Sequence, residues 1–426
     1  MKLWWMVFRL ALRIRRMRNF HRLLKQLKNN AAIEVSLVIS TGELLALAKA
    51  LRGNLSLKSL TLNAECEHSA DITVSAFAQL SEALRMNSTL MTLNICNNNI
   101  TQEGATYIAE FLKVNSTLTT LNLRGNCIHV DGAVAIAEAL KLNIALKSLD
   151  LSSNRIEGRA LAIAEALKVN SALTLLQICE NNITVVGAIA IAAALKVNSM
   201  LKSLAMSYNM LQDEGAIAIA EALKVNSTLE SLDLGQNCIY HEGAIAIADS
   251  LKVNSALTSL ALWENTVHYV GAIEIAEALK VNSTLKSLDL NQNYIFNEGA
   301  IAISEALQVN CTLISLNLRE NRIYDEGAIS IAEAMKVNST LISLYLQENL
   351  IGLDGLKFIA KALIFNSTLS CLDVGKDFEN LFPVFCNFVN THDNLSTILE
   401  TLIGEDGANV LGDEYRIKFR CLTEED

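Results

Sequence analysis

Residues 229–256 read LESLDLGQNCIYHEGAIAIADSLKVNSA, and residues 285–312 read LKSLDLNQNYIFNEGAIAISEALQVNCT. The frame Leu229-Leu232-Leu234-Asn237-Ile239 in the first returns as Leu285-Leu288-Leu290-Asn293-Ile295 in the second. It also stands as Leu118-Leu121-Leu123-Asn126-Ile128 and Leu146-Leu149-Leu151-Asn154-Ile156, which sets a period of 28 residues. Units open at Leu90, Leu118, Leu146, Leu173, Leu201, Leu229, Leu257, Leu285, Leu313, Leu341 and Leu369. One interval is 27, because the unit holding Arg155 to Leu167 lacks a loop residue. Leu57-Leu60-Leu62 reads as an earlier, divergent unit with a longer insertion after it. A fixed period of this length marks stacked units, each too small to bury its apolar face alone.

Each unit has two halves. LxxLxL alternates apolar and polar residues, as a short strand with one buried face does. A loop follows the asparagine, then a glycine (Gly104, Gly132, Gly187, Gly215, Gly243, Gly271, Gly299, Gly327, Gly355) that allows a tight entry into the next element. The AIAIAEALK stretch is helical, with Ile245, Ala248 and Leu251 on one face and alanines keeping neighbouring helices close. Glu138 with Lys141, Glu221 with Lys224 and Glu277 with Lys280 stand at i,i+3 on the outer face. An asparagine ends each helix (Asn115, Asn143, Asn226, Asn282 among them), as a residue tolerant of a left-handed cap. A second column, Asn126, Asn154, Asn237, Asn293 and Asn321, falls where strand becomes loop; a buried amide there can pair with the backbone of adjacent turns.

The coincidence of LxxLxLxxN, the 28-residue period and a helical half resembles leucine-rich repeats of the ribonuclease-inhibitor type, as in that inhibitor and the C-terminal regions of NOD-like receptors. The resemblance covers roughly residues 57–375. It implies an α/β solenoid, a right-handed horseshoe with parallel strands on the concave face and helices on the convex face. A NOD-like receptor would also carry a nucleotide-binding module, and no GxxxxGK[ST] phosphate loop occurs in this chain.

The frame divides the chain into a basic amphipathic helix over 1–30, a repeat array over 31–375 of about 12 units, regular from 90, and a C-terminal cap over 376–426. Residues 1–30 hold nine Lys or Arg and no acid, leaving 26 basic against 45 acidic residues in the rest, a formal −19. An acidic body repels nucleic acid and favours basic protein surfaces. Leu3, Val7, Leu10, Ile14, Met17 and Leu24 space one face of the basic helix, with Arg9, Arg13 and Arg16 on another. Three readings stay open for it: membrane contact, mitochondrial targeting, or a cap on the first repeat's apolar end. Phe378, Phe382, Phe385 and Phe388 after Val374 suit a terminal cap.

Although 51% of residues are hydrophobic, no run approaches the roughly 20 a membrane span needs. Nine cysteines show no metal-ligand spacing, and those sharing a slot, Cys127 with Cys238 and Cys96 with Cys179, lie in non-adjacent units. They read as reduced thiols of a cytoplasmic protein. The six histidines lack partners at metal spacing, and the repeat explains the N-x-S/T triplets without glycosylation. No catalytic constellation, metal, cofactor or small-molecule substrate is expected.

The polar strand positions form three columns that vary far more than their frame: Asn122 to Tyr345, Arg124 to Gln347 and Gly125 to Glu348. Six of the eight tyrosines fall between Tyr208 and Tyr345, as does Trp263. The slot after the isoleucine column reads Tyr240, His268, Phe296, Tyr324 in four successive units, where stacking would place side chains roughly 5 Å apart. Together with Glu264, Glu320, Glu348 and Arg319 these residues make an aromatic patch with an acidic flank, the composition of a protein-binding hot spot. The alternative is a stacked loop that shields the core edge. As a function, the sequence points to a non-catalytic scaffold or adaptor for a protein with a basic surface. The competing reading is an enzyme regulator, either an inhibitor like the ribonuclease inhibitor or a GTPase activator resembling the Ran-activating proteins, for which Arg124 and Arg319 are the exposed arginines.

Overall fold

The structure, a computed structural model, describes residues 18–64, 74–363 and 365–375. The expected C-terminal cap and the first 17 residues of the expected basic helix lie outside them. Contacts divide the chain at Ala205 and Met206 into two units.

The first unit opens with helix α1 over the described residues 18–28. There follow β1 (Glu34–Ile39), α2 (Thr41–Leu51), β2 (Ser59–Ala64), α3 (Val74–Met86), β3 (Thr92–Asn94), α4 (Gln102–Leu112) and β4 (Thr120–Asn122). Then come α5 (His129–Leu140), β5 (Ser148–Asp150), α6 (Ala160–Val169), β6 (Leu175–Gln177), α7 (Val185–Leu195) and β7 (Ser203–Ala205). The second unit holds α8 (Gln212–Leu223), β8 (Ser231–Asp233), α9 (His241–Leu251), β9 (Ser259–Ala261), α10 (His268–Leu279) and β10 (Ser287–Asp289). It continues with α11 (Phe296–Leu307), β11 (Ser315–Asn317), α12 (Asp325–Met335), β12 (Ser343–Tyr345), α13 (Leu353–Leu363) and β13 (Cys371–Asp373). In each unit every strand pairs in parallel with its neighbour in sequence, and equivalent residues face each other: Leu260 lies between Leu232 and Leu288. This is the leucine-rich-repeat solenoid that the period implied.

The described part of α1 is built in as a repeat helix. Leu27 is fully buried, and its carbonyl accepts the Asn54 amide at 2.7 Å, as Leu84 accepts Asn115 at 2.9 Å. A turn earlier than Leu57, β1 pairs with β2 over six residues. EVSLVI carries no LxxLxLxxN signature, so periodicity alone could not place it. Where the interval shortens to 27, a 3-10 turn (Glu157–Arg159) takes the place of the helix's first turn.

Packing explains the columns. In α9 the buried residues are Gly243, Ala244, Ile247, Ala248, Ser250 and Leu251, so the inward stripe passes through Ile247 rather than Ile245. The repeat glycines lie inside helices at ordinary φ, and what they supply is space. A Cβ on Gly299 would lie 2.5 Å from the Ile295 γ-methyl and 2.9 Å from the Ala272 Cβ of the preceding turn. Helix-ending asparagines are likewise not left-handed. Asn282 Oδ1 accepts the N–H groups of Thr284 (3.0 Å) and Leu285 (2.8 Å), while its Nδ2 donates to Leu251 O at 2.8 Å, one turn back. The side chain thus folds the corner, and the backbone has no need to. These amides are buried and occupied by backbone partners, which is the structural role the repeat gives their triplets.

The inner asparagines pair with backbone of their own turn and of the turn before it. Asn321 Oδ1 accepts from Asn293 N (2.9 Å) and Ile295 N (3.3 Å), and its Nδ2 donates to Leu290 O (2.8 Å) and Arg319 O (2.9 Å). Asn154, Asn237, Asn293 and Asn321 are fully buried. On the outside, Glu–Lys pairs at 2.6 Å link residues 138 with 141, 221 with 224 and 277 with 280; solvent exposure limits them to tenths of a kcal/mol each, on the order of 0.3–0.5. Replacing Asn321 by Leu should orphan buried backbone groups on two turns at about 1–3 kcal/mol each. Amide hydrogen exchange should then accelerate at Asn293 and Ile295 well before it does in β4 and β5. Uniform exchange across both units would contradict a local role.

Candidate functional site

Residues 233, 235, 261, 263, 289 and 291 alternate with buried leucines along β8, β9 and β10 and their continuations, so they share the polar strand face. Gly235 has no side chain, and the Trp263 ring fills the gap: a Cβ there would fall 2.0 Å from Trp263 Cε2. Across that gap Trp263 meets Tyr208 edge to face, with ring centroids 5.0 Å apart and planes at 63°. Beside the pair, the Gln236 amide donates to the Glu264 carboxylate at 3.0 Å. That partner is neutral, so the charge of Glu264 stays uncompensated.

Two further carboxylates bracket the site. Asp233 and Asp289 occupy the strands on either side of Ala261. Asp233 accepts from Gly235 N at 2.9 Å, directly under the Trp263 ring, and Asp289 accepts from Asn291 N at 2.9 Å. Burial holds the Asp289 carboxyl above its ordinary range, and the Asp233 charge adds to the rise. No ion pair to a described residue forms at Asp233, Glu264 or Asp289. The acidic character expected around Trp263 is therefore present, although it comes only in part from the expected residues. Glu320 and Glu348 both close on Arg319, Glu320 at 3.0 Å, and make an ion triad of their own. The Arg319 Nε is buried without an acceptor among the described residues.

Of the loop slot, two members meet. His268 and Phe296 lie edge to face at 5.6 Å, and Tyr269 packs on His268 at 4.3 Å. Tyr240 and Tyr324 are exposed and make no ring contact with a described residue, so the expected four-member stack reduces to one pair. The reason is backbone conformation. His268 (φ 60°) and Phe296 (φ 57°) are left-handed, and their N–H groups donate forward to Asn293 O (2.9 Å) and Asn321 O (3.0 Å). Tyr240 and Tyr324 are extended, because an oxygen from the preceding turn captures their N–H groups: Asp213 Oδ1 at 2.8 Å and Asn297 Oδ1 at 2.8 Å. The equivalent residues before His268 and Phe296 are His241 and Tyr269, which offer no such oxygen. Tyr345 turns elsewhere: a hydrogen bond with the Cys371 thiol is the main cause raising its phenol above the usual value.

Sequence reasoning did not single out Asp233, Asp289, Tyr294 or Arg322. Tyr294 and Arg322 share the slot after the inner asparagine in successive turns, and Arg322 Cζ lies 4.6 Å from the Tyr294 ring centroid. Reading that slot down the repeats would have paired them. Among the described residues no His, Cys, Asp and Glu side chains gather as a metal site, no helix is long and apolar enough to cross a membrane, and the six cysteines are free.

Comparison with known proteins supplies the family. The model of the family described as "Leucine Rich repeat" matches residues 87–109, 114–137, 143–162, 197–220, 225–248, 281–304 and 309–332. No curated protein matches. Among solved structures, the chain is similar to an internalin (inlF) from Listeria monocytogenes, 18% identical with a TM-score of 0.48, over 83% of this chain and 89% of that one. It is also similar to the actin-binding site 2 of leiomodin-1, 28% identical with a TM-score of 0.31, over 35% of this chain and 86% of that one.

Two outcomes test this geometry. With Trp4 and Trp5 replaced by Phe, Gly235→Ala should expel the Trp263 ring and shift its fluorescence to longer wavelength; an unchanged spectrum would refute the seating in the gap. For Asp289 the folded-state pKa is raised, so its ionisation in the fold opposes stability, and stability falls as pH rises through that pKa. Asp289→Asn should therefore stabilise the protein at neutral pH and reduce the loss between the ordinary Asp range and neutrality. Urea midpoints at several pH values measure both.

Proposed function

Because this chain is a leucine-rich-repeat protein, we propose that it is a non-catalytic scaffold whose second unit holds a partner protein on the polar strand face, centred on Trp263. The single observation that carries this reading is the Trp263–Tyr208 pair seated over Gly235 among three carboxylates without cationic partners. Large aromatic surface held in a fixed position is what dominates protein–protein affinity, since little side-chain freedom remains to be lost on docking. Five carboxylates (Asp233, Glu264, Asp289, Glu320, Glu348) stand against one guanidinium, Arg319, in the three polar columns of this unit up to Glu348. A basic partner surface suits that balance and would be steered to it.

An enzyme with a basic surface would meet the same requirements, which is the inhibitor form of this reading. A GTPase activator would need an arginine free to reach a nucleotide; Arg319 is already held by two carboxylates, whereas Arg124 of the first unit is exposed. In the cytoplasm, the compartment we propose for this chain, the role would be that of an adaptor.

The test compares proteins captured by the intact chain and by a variant carrying Trp263→Ala, Glu264→Lys and Glu320→Lys. Binding should be salt-sensitive and should fall at least about a hundredfold in the variant, the scale of losing one hot-spot aromatic with its charge complement. Undiminished capture by a folded variant would refute the proposed surface.

A further inference from the structure

A second recognition feature lies in the strand-to-helix loops of the same unit, away from the polar strand face. Arg322 is exposed, and its Cζ stands 4.6 Å from the centroid of the Tyr294 ring and 6.0 Å from that of Phe296. The loop backbone sets this arrangement rigidly. Tyr294 and Arg322 each follow a fully buried inner asparagine and are left-handed, at φ 57° and 56°. Phe296 N donates to Asn321 O at 3.0 Å, which holds its ring beside the residue that follows Asn321. His268 then closes on Phe296 at 5.6 Å. The result is a guanidinium fixed against aromatic rings at the surface, with an apolar shelf of Phe296 and His268 adjoining it.

Its hydrogen-bonding capacity is unused. Glu298, Glu320, Asp325 and Glu326 are carried on the same loops or next to them, yet Arg322 forms an ion pair or hydrogen bond with no described residue. Among the described residues of this unit most other cations are neutralised: Lys224, Lys252, Lys280, Lys336 and Lys357 by carboxylates at i,i+3, and Arg319 by two. Stacking engages the faces of a guanidinium and leaves its in-plane N–H donors available for a forked pair of oxygens. A stacked arginine also gives up less side-chain freedom on binding than a free one.

We propose that Arg322 with Tyr294, Phe296 and His268 forms a carboxylate-binding subsite, which takes an Asp, Glu or chain-terminal carboxylate borne beside an aromatic or aliphatic side chain of a partner protein. The acidic residues of the surrounding loops favour a single charge over a phosphate dianion, because each further negative charge meets repulsion that one guanidinium cannot offset. The apolar shelf selects for a hydrophobic group next to the carboxylate. This subsite stands apart from the Trp263 face, and its test does not use that surface.

The experiment follows the Arg322 Nε–Hε resonance in arginine-labelled full-length protein, assigned by its loss in Arg322→Lys. Three probes are titrated at constant ionic strength: N-acetylphenylalanine, its neutral amide, and inorganic phosphate. The expected result is a saturable downfield shift with the carboxylate, about tenfold weaker binding of the amide and of phosphate, and about fivefold weaker carboxylate binding in Tyr294→Leu. Equal response to the amide, preference for phosphate, a shift that never saturates, or undiminished binding by folded Tyr294→Leu would each overturn the proposal.

Discussion

Two carboxamides per turn hold this chain in register, and every other feature follows from that. The helix-ending asparagine ties its own corner to the helix one turn back, as Asn282 does to Leu251. The inner asparagine ties its own turn to the one before it, as Asn321 does through Arg319 on its own turn and through Leu290 and Ile295 on the preceding one. Three-residue strands offer too few ladder bonds to fix a register alone, and a leucine solenoid whose turns could slip by one residue would put its polar face inward. Both columns are buried, so each unmade bond would leave a backbone group orphaned at about 1–3 kcal/mol. Register is therefore enforced by penalty more than by attraction.

A fixed register turns a position in the sequence into a row on the surface, and this makes small differences between turns consequential. At the slot after the isoleucine column the backbone has two states. An Asp or Asn oxygen from the preceding turn captures the N–H and leaves the residue extended, as Asp213 does for Tyr240. Without it the N–H reaches forward to the next asparagine carbonyl and the residue becomes left-handed, as at His268 and Phe296. A bulky side chain at positive φ carries strain of about 1–3 kcal/mol, and the forward bond compensates for part of it. Thr184 departs from this rule: Gly158 precedes it, yet it is extended. A β-branched residue pays more for the left-handed state than His or Phe, which accounts for the exception.

These facts explain which parts of the molecule could be read from its residues. The leucine frame, the parallel pairing, the inner asparagine column and the Glu–Lys surface pairs are periodic, and periodicity is visible in one dimension. So was the concentration of aromatics after Tyr208. What periodicity could not show was anything decided between turns. The glycines read as allowing a tight entry into the helix, whereas Gly299 is required by the γ-methyl of Ile295 and the Cβ of Ala272. The corner asparagines read as left-handed caps, and they fold the corner with their side chains instead. The strand Glu34–Ile39 escaped because its apolar residues lack the frame, although its backbone pairs with β2. Tyr240 and Tyr324 fell out of the expected stack because the cause, Asp213 and Asn297, lies in a different turn.

The same logic locates the recognition chemistry. Trp263 can reach Tyr208 only because the intervening turn presents Gly235, a residue with no contact surface of its own. Phe296 and His268 come together because Tyr269 and His241 lack the oxygen that Asp213 and Asn297 supply. In both cases the aromatic surface is determined by residues that a partner would never touch. A repeat protein can therefore alter its binding face by substitutions in the scaffold slots of a neighbouring turn, while the contact residues stay as they are. Surface composition alone is then a poor guide to what such a face binds, and the neighbouring-turn residues, read together with it, are the ones that set its shape.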